Sequence, residues 1–167
     1  MENRSIKSKA RSSSLQLTDC IASLLALELL SPSQELYLMS PWAGDVTAVS
    51  NRLGQLRAVL PDAGKRDVGL AETLSLLSDR GTTVRVICRP DQEYTDLFLR
   101  RLAPSVEWRE SAALHEKGLL SSRFYLRGSM NFTYSGISLN DEAVELTDDP
   151  EQVSRALLSA RNDWEML

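Results

Sequence analysis

The hydrophobic pattern divides the chain into short strands and longer helices that alternate over much of its length. Apolar runs or alternating polar and apolar positions predict strands over residues 35–40, 84–88, 106–109, 113–120, 123–127 and 142–146. Apolar residues at helical spacing predict helices over 18–30, 69–80, 91–102 and 150–164. This alternation is typical of an α/β fold, and we expect a mixed, mostly parallel sheet flanked by helices.

The amino-terminal segment lacks such a pattern. Residues 1–14 carry four basic side chains against one acidic side chain, together with several serines. We expect a flexible basic tail over 1–14 and a single domain over 15–167, which is long enough to bury a core. The apolar run 21–30 is short and contains Glu28, so we expect no membrane-spanning segment and no membrane partner.

Charge and cysteine content narrow the functional classes. The net charge is −4, so nucleic-acid binding would require a local cluster rather than an overall basic surface. Cys20 and Cys88 lie in a predicted helix and a predicted strand, where free thiols of a reducing, cytoplasmic protein are more common than a disulfide. One histidine and two separated cysteines do not make a standard zinc set, so we expect no metal cofactor.

The residues that can carry chemistry lie in two segments, 114–120 and 128–133. The first contains His115 and Lys117, which a strand would place on one face because its side chains alternate. An imidazole that can attack, beside an ammonium that can hold an anion, suits phosphoryl chemistry. The second segment, Gly-Ser-Met-Asn-Phe-Thr, also has a purely structural interpretation, since Gly and Asn are common in turns. Both segments together, on neighbouring predicted strands, favour a functional site.

These segments resemble the signature of the phospholipase D superfamily, which is His-x-Lys, four residues, Asp, and then Gly-Ser-x-Asn. The matching residues are His115, Lys117, Gly128, Ser129 and Asn131, extended downstream by Asn140 and Glu142. The position of the signature aspartate is Ser122. In the family that aspartate supports the structure away from the reacting phosphate, so its replacement leaves the reacting groups in place.

Three longer strings resemble, more narrowly, the single-motif phospholipase D-like nucleases of bacterial DNA-modification and phage-defence gene clusters. They are Ser-Pro-Trp at 40–42, Leu-His-Glu-Lys-Gly-Leu-Leu at 114–120, and Tyr-Leu-Arg-Gly-Ser-Met-Asn-Phe-Thr at 125–133. The resemblance implies a metal-independent phosphodiesterase that acts on DNA as an endonuclease, and it leaves room for a larger defence complex.

The same resemblance implies a role for each matching side chain. The imidazole of His115 would attack phosphorus to form a phosphohistidine, and a second histidine would protonate the leaving oxygen. Lys117 and Asn131 would hold the non-bridging oxygens, and Ser129 would add a hydroxyl donor. Glu142 would orient His115 through its other ring nitrogen. Because the chain has one histidine, we expect a two-fold dimer with a shared active site.

Other residues and other functions stay open. Arg89 is the best candidate among the arginines for substrate binding, because it follows a predicted parallel strand, where sites of such sheets lie. Trp42 and Asp45 follow the first predicted strand at a comparable edge, although Trp42 suits a core position equally well. The alternative functions are a phospholipid-headgroup hydrolase with the same chemistry and a catalytically silent phosphate- or DNA-binding module.

Overall fold

The computed structural model describes residues 4–8, 14–139 and 142–167. Its strands are β1 (Arg4–Ser8), β2 (Glu35–Met39), β3 (Thr47–Val49), β4 (Val68–Gly69), β5 (Thr83–Cys88), β6 (Glu107–Glu110), β7 (Gly118–Ser121), β8 (Tyr125–Gly128) and β9 (Glu142–Thr147). Its helices are α1 (Ser14–Leu30), α2 (Leu70–Asp79), α3 (Glu93–Leu99), α4 (Tyr134–Ser138) and α5 (Pro150–Met166). Within these ranges, none of the helices has the length and apolar character needed to cross a bilayer.

In the described residues, seven strands form one mixed sheet in the order β1-β9-β8-β7-β2-β5-β6. Among the described strands of this sheet, only the pairs β2–β5 and β5–β6 are parallel. The carboxyl-terminal strands return as an antiparallel meander, from β7 through β8 to β9, and β7 pairs with β2. The predicted α/β class and mixed sheet are confirmed, but the parallel part is smaller than predicted. Short connections such as the β7–β8 turn allow antiparallel pairing without a crossover helix.

The amino-terminal segment differs from the predicted flexible tail. Residues 4–8 form β1, which pairs with β9 in antiparallel register, with Ser5 opposite Glu145. The tail prediction is therefore wrong for 4–8, while 1–3 and 9–13 lie outside the described residues. The sequence gives little indication of β1, because an edge strand of this kind is held by backbone hydrogen bonds to a neighbouring strand.

Helices cover both faces of the sheet because the buried strands are apolar on both sides. Leu36 and Leu38 of β2 pack into the cluster that includes residues of α1 and α2. Tyr37 and Met39 point to the opposite face and pack with Val153 and other residues of α5. This alternation follows from the period of two along a strand. The core therefore holds β2, β7 and β5 rigidly at the centre of the sheet.

A buried ion pair joins the end of α1 to the β7–β8 turn. The Glu28 side chain is 0% exposed and accepts hydrogen bonds from Ser33 N and Ser33 Oγ, both at 2.9 Å. Arg123 Nη1 lies 3.3 Å from the Glu28 carboxylate and also donates to the Ser31 carbonyl. The acidic residue in the apolar run 21–30 is thus paired and hydrogen-bonded, as a buried charge requires.

Candidate functional site

The sheet brings the motif segments to a single edge. The carboxyl ends of β2 and β5 lie at this edge, because the two strands are parallel. The antiparallel pairs place the amino end of β7, the carboxyl end of β8 and the amino end of β9 at the same edge. Neighbouring positions along the edge therefore hold the motif residues and Arg89: Glu142 at β9, Ser129 and Asn131 after β8, His115 and Lys117 before β7, and Arg89 after β5.

His115 and Lys117 lie in a loop rather than on the predicted strand 113–120. The strand begins only at Gly118, one residue after Lys117. Leu114 N donates to Ser111 O at 3.1 Å, a local turn that takes this backbone away from the ladder. The prediction that a strand places both side chains on one face was therefore wrong, because neither residue lies in a strand. Lys117 Nζ instead donates to the His115 carbonyl at 2.8 Å.

The loop nevertheless brings both side chains to one cleft. A cavity of about 500 Å³ is lined by His115 and Lys117 together with Gly128 and residues of β8 and β9. Arg127 and Glu145 line the same cleft and are paired at 3.2 Å. The His115 side chain is exposed and Lys117 is half-buried. An incoming phosphate can therefore reach both residues from solvent.

Arg89, the weaker sequence candidate, contacts the His115 ring. Arg89 Nε donates to the Leu114 carbonyl at 2.7 Å, and its Nη2 lies 3.0 Å from Nδ1 and 3.2 Å from Nε2 of His115. A guanidinium has donors only, so a hydrogen bond to this imidazole requires an unprotonated ring nitrogen. The contact therefore suits the neutral imidazole that a nucleophile needs.

Ser129 and Glu142 contact each other across β8 and β9. The Ser129 hydroxyl donates to the Glu142 carboxylate, and Ala143 N donates to Ser129 Oγ at 3.1 Å. That Glu142 orients His115 stays a prediction, and the contacts of the His115 ring nitrogens within one chain include Arg89. Asn140 lies outside the described residues.

Asn131 joins the loop after β8 to the loop after β2. Its Oδ1 accepts a hydrogen bond from Trp42 N at 3.4 Å. Phe132 N donates to Ser40 Oγ at 3.0 Å, and Gly44 N donates to Phe132 O at 2.9 Å. Phe132, directly after Asn131, is thus bound to residues on both sides of Trp42 in the loop after β2. Trp42 itself is exposed and does not enter the core.

A contact that the sequence did not predict holds the His115 loop on its other side. The Tyr125 hydroxyl donates to the carboxylate of Glu116, the residue between His115 and Lys117. Burial and the Glu116 carboxylate both raise the pKa of Tyr125. Gly118 makes room for this ring, because a Cβ there would lie 2.8 Å from Tyr125 Cε2. This contact could be predicted only from the register of the β7–β8 hairpin, which the sequence does not determine.

Two other residues considered in the sequence have different positions: Asp45 has a structural role, and Ser122 lies at an exposed turn. Asp45 accepts from Ala71 N at 2.9 Å and pairs with Arg101 at 2.8 Å, so it stabilises the start of α2. Ser122 is exposed at the turn between β7 and β8, where the sequence placed it. Among the residues of the described ranges, no group of three His, Cys, Asp or Glu side chains could hold a metal ion.

Comparison with known proteins identifies the family. Residues 60–164 match the domain family described as "Cardiolipin synthase, PLD-like domain", a stretch that contains all the motif residues before and after the β7–β8 turn. This is more than half of the chain. The chain therefore belongs to the phospholipase D-like family, and the predicted superfamily is confirmed.

Individual relatives agree with this assignment. The mitochondrial cardiolipin hydrolase of Danio rerio is 31% identical over 93 residues, which are 50% of this chain and 40% of that protein. The structure of NucT from Helicobacter pylori has a TM-score of 0.66 at 13% identity, covering 98% of this chain and 97% of that one. Nuc from Salmonella typhimurium, a phospholipase D family member, has a TM-score of 0.65 at 14% identity over 98% and 94% of the two chains. At these identities the structures establish the fold.

Proposed function

We propose that this protein is a metal-independent phosphodiesterase that cleaves DNA through a phosphohistidine on His115. The observation that carries the proposal is the placement of His115 and Lys117 on one cleft. Ser129, Asn131 and Glu142 lie at neighbouring positions along the same sheet edge. This set combines a nucleophile with donors for the developing negative charge, which is what phosphoryl transfer requires.

The reaction proceeds in two displacements. A ring nitrogen of His115 attacks phosphorus, and the bond from phosphorus to the leaving oxygen breaks as His115 of the partner subunit donates a proton to that oxygen. Water then attacks the same phosphorus and gives its proton to that second imidazole. The phosphorus–nitrogen bond breaks, so both histidines return to their starting states.

The surrounding side chains stabilise charge or orient the reacting groups. Lys117 Nζ exchanges its bond to the His115 carbonyl for a non-bridging oxygen of the phosphate, and Asn131 binds the other oxygen through its amide nitrogen. Arg89 orients the His115 ring and adds a second cation beside it. Glu142 orients the Ser129 hydroxyl through their hydrogen bond. The whole set needs two chains, so the working unit is a homodimer with a shared active site.

The proposed biological setting is a bacterial DNA-modification or phage-defence system, with DNA as the substrate. It is supported by the strings at 40–42, 114–120 and 125–133. A second candidate function is hydrolysis of a phospholipid headgroup, because the relative that is 31% identical is named a cardiolipin hydrolase. The silent DNA-binding module is the third possibility, and the replacement of the signature aspartate by Ser122 favours it.

One set of assays separates these functions. Purified protein is incubated in EDTA with plasmid, with single-stranded DNA and with cardiolipin vesicles, beside His115→Ala and, as a matched control at the exposed hairpin turn, Ser122→Ala. We expect DNA cleavage in EDTA by the wild type and by Ser122→Ala, and none by His115→Ala. Cleavage of the lipid alone would support the second candidate, and DNA binding without cleavage would support the third.

A further inference from the structure

Three exposed aromatic side chains surround the loop that carries Asn131. Trp42 is 46% exposed, Tyr94 is 48% exposed and Tyr134 is 63% exposed. They come from three different elements: the loop after β2, the first turn of α3, and the first position of α4. Large aromatic rings that remain open to solvent near a functional site are typical of binding surfaces.

The segments that carry the three rings are tied to the Asn131 loop. Trp42 N donates to Asn131 Oδ1 at 3.4 Å, and Ala43 forms a parallel bridge with Phe132. The Tyr94 ring rests against Gly44, where any Cβ would overlap it. Thr133 N donates to Asn131 O at 2.8 Å and its side chain caps α4, so Tyr134 follows the loop directly. The three aromatic residues therefore belong to segments that are held next to a residue proposed to bind the phosphate.

We infer that this aromatic surface, formed by Trp42, Tyr94 and Tyr134, stacks against unpaired bases that flank the reacting phosphate, so that the substrate is single-stranded DNA. The inference rests on the proposed function. Base stacking on an aromatic side chain contributes ~1–3 kcal/mol per base and does not depend on sequence. A duplex keeps its bases stacked on each other and cannot offer them to this surface.

The chemistry of the substrate favours bases over lipid as the occupant. In a DNA strand every internal phosphate has a base on each side, whereas the headgroup and glycerol beside a phospholipid phosphate have no π face. The net charge of −4 also limits what phosphate contacts alone can contribute. Stacking supplies binding free energy that does not need a basic surface.

The test measures binding separately from turnover. In a His115→Ala background, fluorescence anisotropy compares a single strand of about 12 nucleotides, an abasic strand of equal length and the matching duplex. We expect the normal strand to bind most tightly. Trp42→Ala and Tyr134→Ala should each weaken its binding roughly tenfold and leave the abasic strand unchanged. Trp42→Phe should retain most of the affinity, because it keeps a ring.

Trp108→Ala is the matched control. Trp108 is 47% exposed, almost the same as Trp42, but it lies on β6 at the end of the sheet. Equal binding of normal and abasic strands, equal losses from the Trp42 and Trp108 variants, or a loss confined to lipid vesicles would each overturn the inference. Ring-dependent strand binding by a wild type that cleaves no DNA would support the stacking surface but overturn the proposed cleavage of DNA.

Discussion

Lys117 and Asn131 approach the sheet edge from different chain segments. Lys117 precedes β7 and Asn131 follows β8, and Gly128 N donates to Lys117 O at 3.1 Å where the two segments meet. A hairpin thus brings the segments that carry a cation and an amide to the same edge of the sheet, although the two residues are separated by fourteen positions in the sequence. In the proposed mechanism the two groups stabilise the same developing charge.

Removing either group should slow the chemical step strongly. Lys117→Ala and Asn131→Ala should each lower kcat by about 10²–10³, which corresponds to ~2.7–4 kcal/mol, the usual effect of losing one such donor. Lys117→Arg should not restore the rate, because a planar guanidinium does not replace a compact ammonium. Single-turnover rates measure the effect. A loss confined to KM would contradict a role in stabilising charge during the reaction.

At the scale of residues, the sequence indicates which side chains suit the proposed chemistry but not the contacts that they make. His115, Lys117, Ser129 and Asn131 could be selected because their types and spacing fit one chemistry. The contact of Arg89 with His115 could only be anticipated as a position at a strand end. The Ser129–Glu142 hydrogen bond depends on the β8–β9 register, which no local pattern determines.

The loop before β7 is the element on which the proposed mechanism depends most. Glu116 is bound to the Tyr125 hydroxyl on one side of this loop, and Leu114 is bound by Arg89 on the other. These two contacts fix the backbone around His115. Because sites on loops are positioned less precisely than sites on strands, the proposed mechanism depends on these two contacts.

Tyr125→Phe should therefore loosen the loop without unfolding the protein. The lost hydrogen bond to a carboxylate should lower the free energy of unfolding by about 1–2 kcal/mol, since Glu116 is exposed. We also expect kcat to fall roughly tenfold while KM changes little, because a displaced nucleophile affects chemistry more than binding. Denaturant melts and steady-state kinetics give the two numbers.

Tyr37→Phe is the matched control for this prediction. The Tyr37 hydroxyl also contacts a charged group, accepting from Arg85 Nη1 at 2.8 Å on the same face of the sheet. Its loss should lower stability comparably but leave kcat unchanged. Equal effects of both variants on kcat would mean that Tyr125 acts through general stability rather than through the position of His115.

The longer elements could be predicted from the sequence, and several of the short ones could not. The strands at 35–40, 84–88 and 142–146 and the helix at 150–164 agree with β2, β5, β9 and α5 within a few residues. β3, β4 and α4 were missed because segments this short have little periodicity. The parallel share of the sheet was overestimated because strand direction is set by the connections and not by the strands themselves.

At the scale of the whole molecule, the number of histidines constrains the assembly. The chain contains one histidine, and the proposed reaction uses one imidazole as the nucleophile and another as the acid. A two-fold axis through the site supplies the second from an identical chain. Sedimentation should therefore show a dimer at the concentrations at which the protein is active.

Mixed dimers give a quantitative form of this prediction. When wild type and His115→Ala are mixed equally and allowed to exchange subunits, activity should be about one quarter of that of wild type alone, because both histidines are required. Independent active sites would give about one half at the same total protein concentration. A fully active monomer at high dilution would also exclude the shared site.

The most direct test of the central claim is to trap the covalent intermediate. Protein is mixed with single-stranded DNA in EDTA, denatured within the first turnover under alkaline conditions that preserve phosphohistidine, digested with nuclease and trypsin, and analysed by mass spectrometry. We predict an acid-labile nucleotide, joined through its phosphate to His115, on the peptide of residues 110–117. The corresponding peptide of His115→Ala should carry no such adduct. DNA cleavage that proceeds without this adduct, or that requires an added metal ion, would contradict the mechanism.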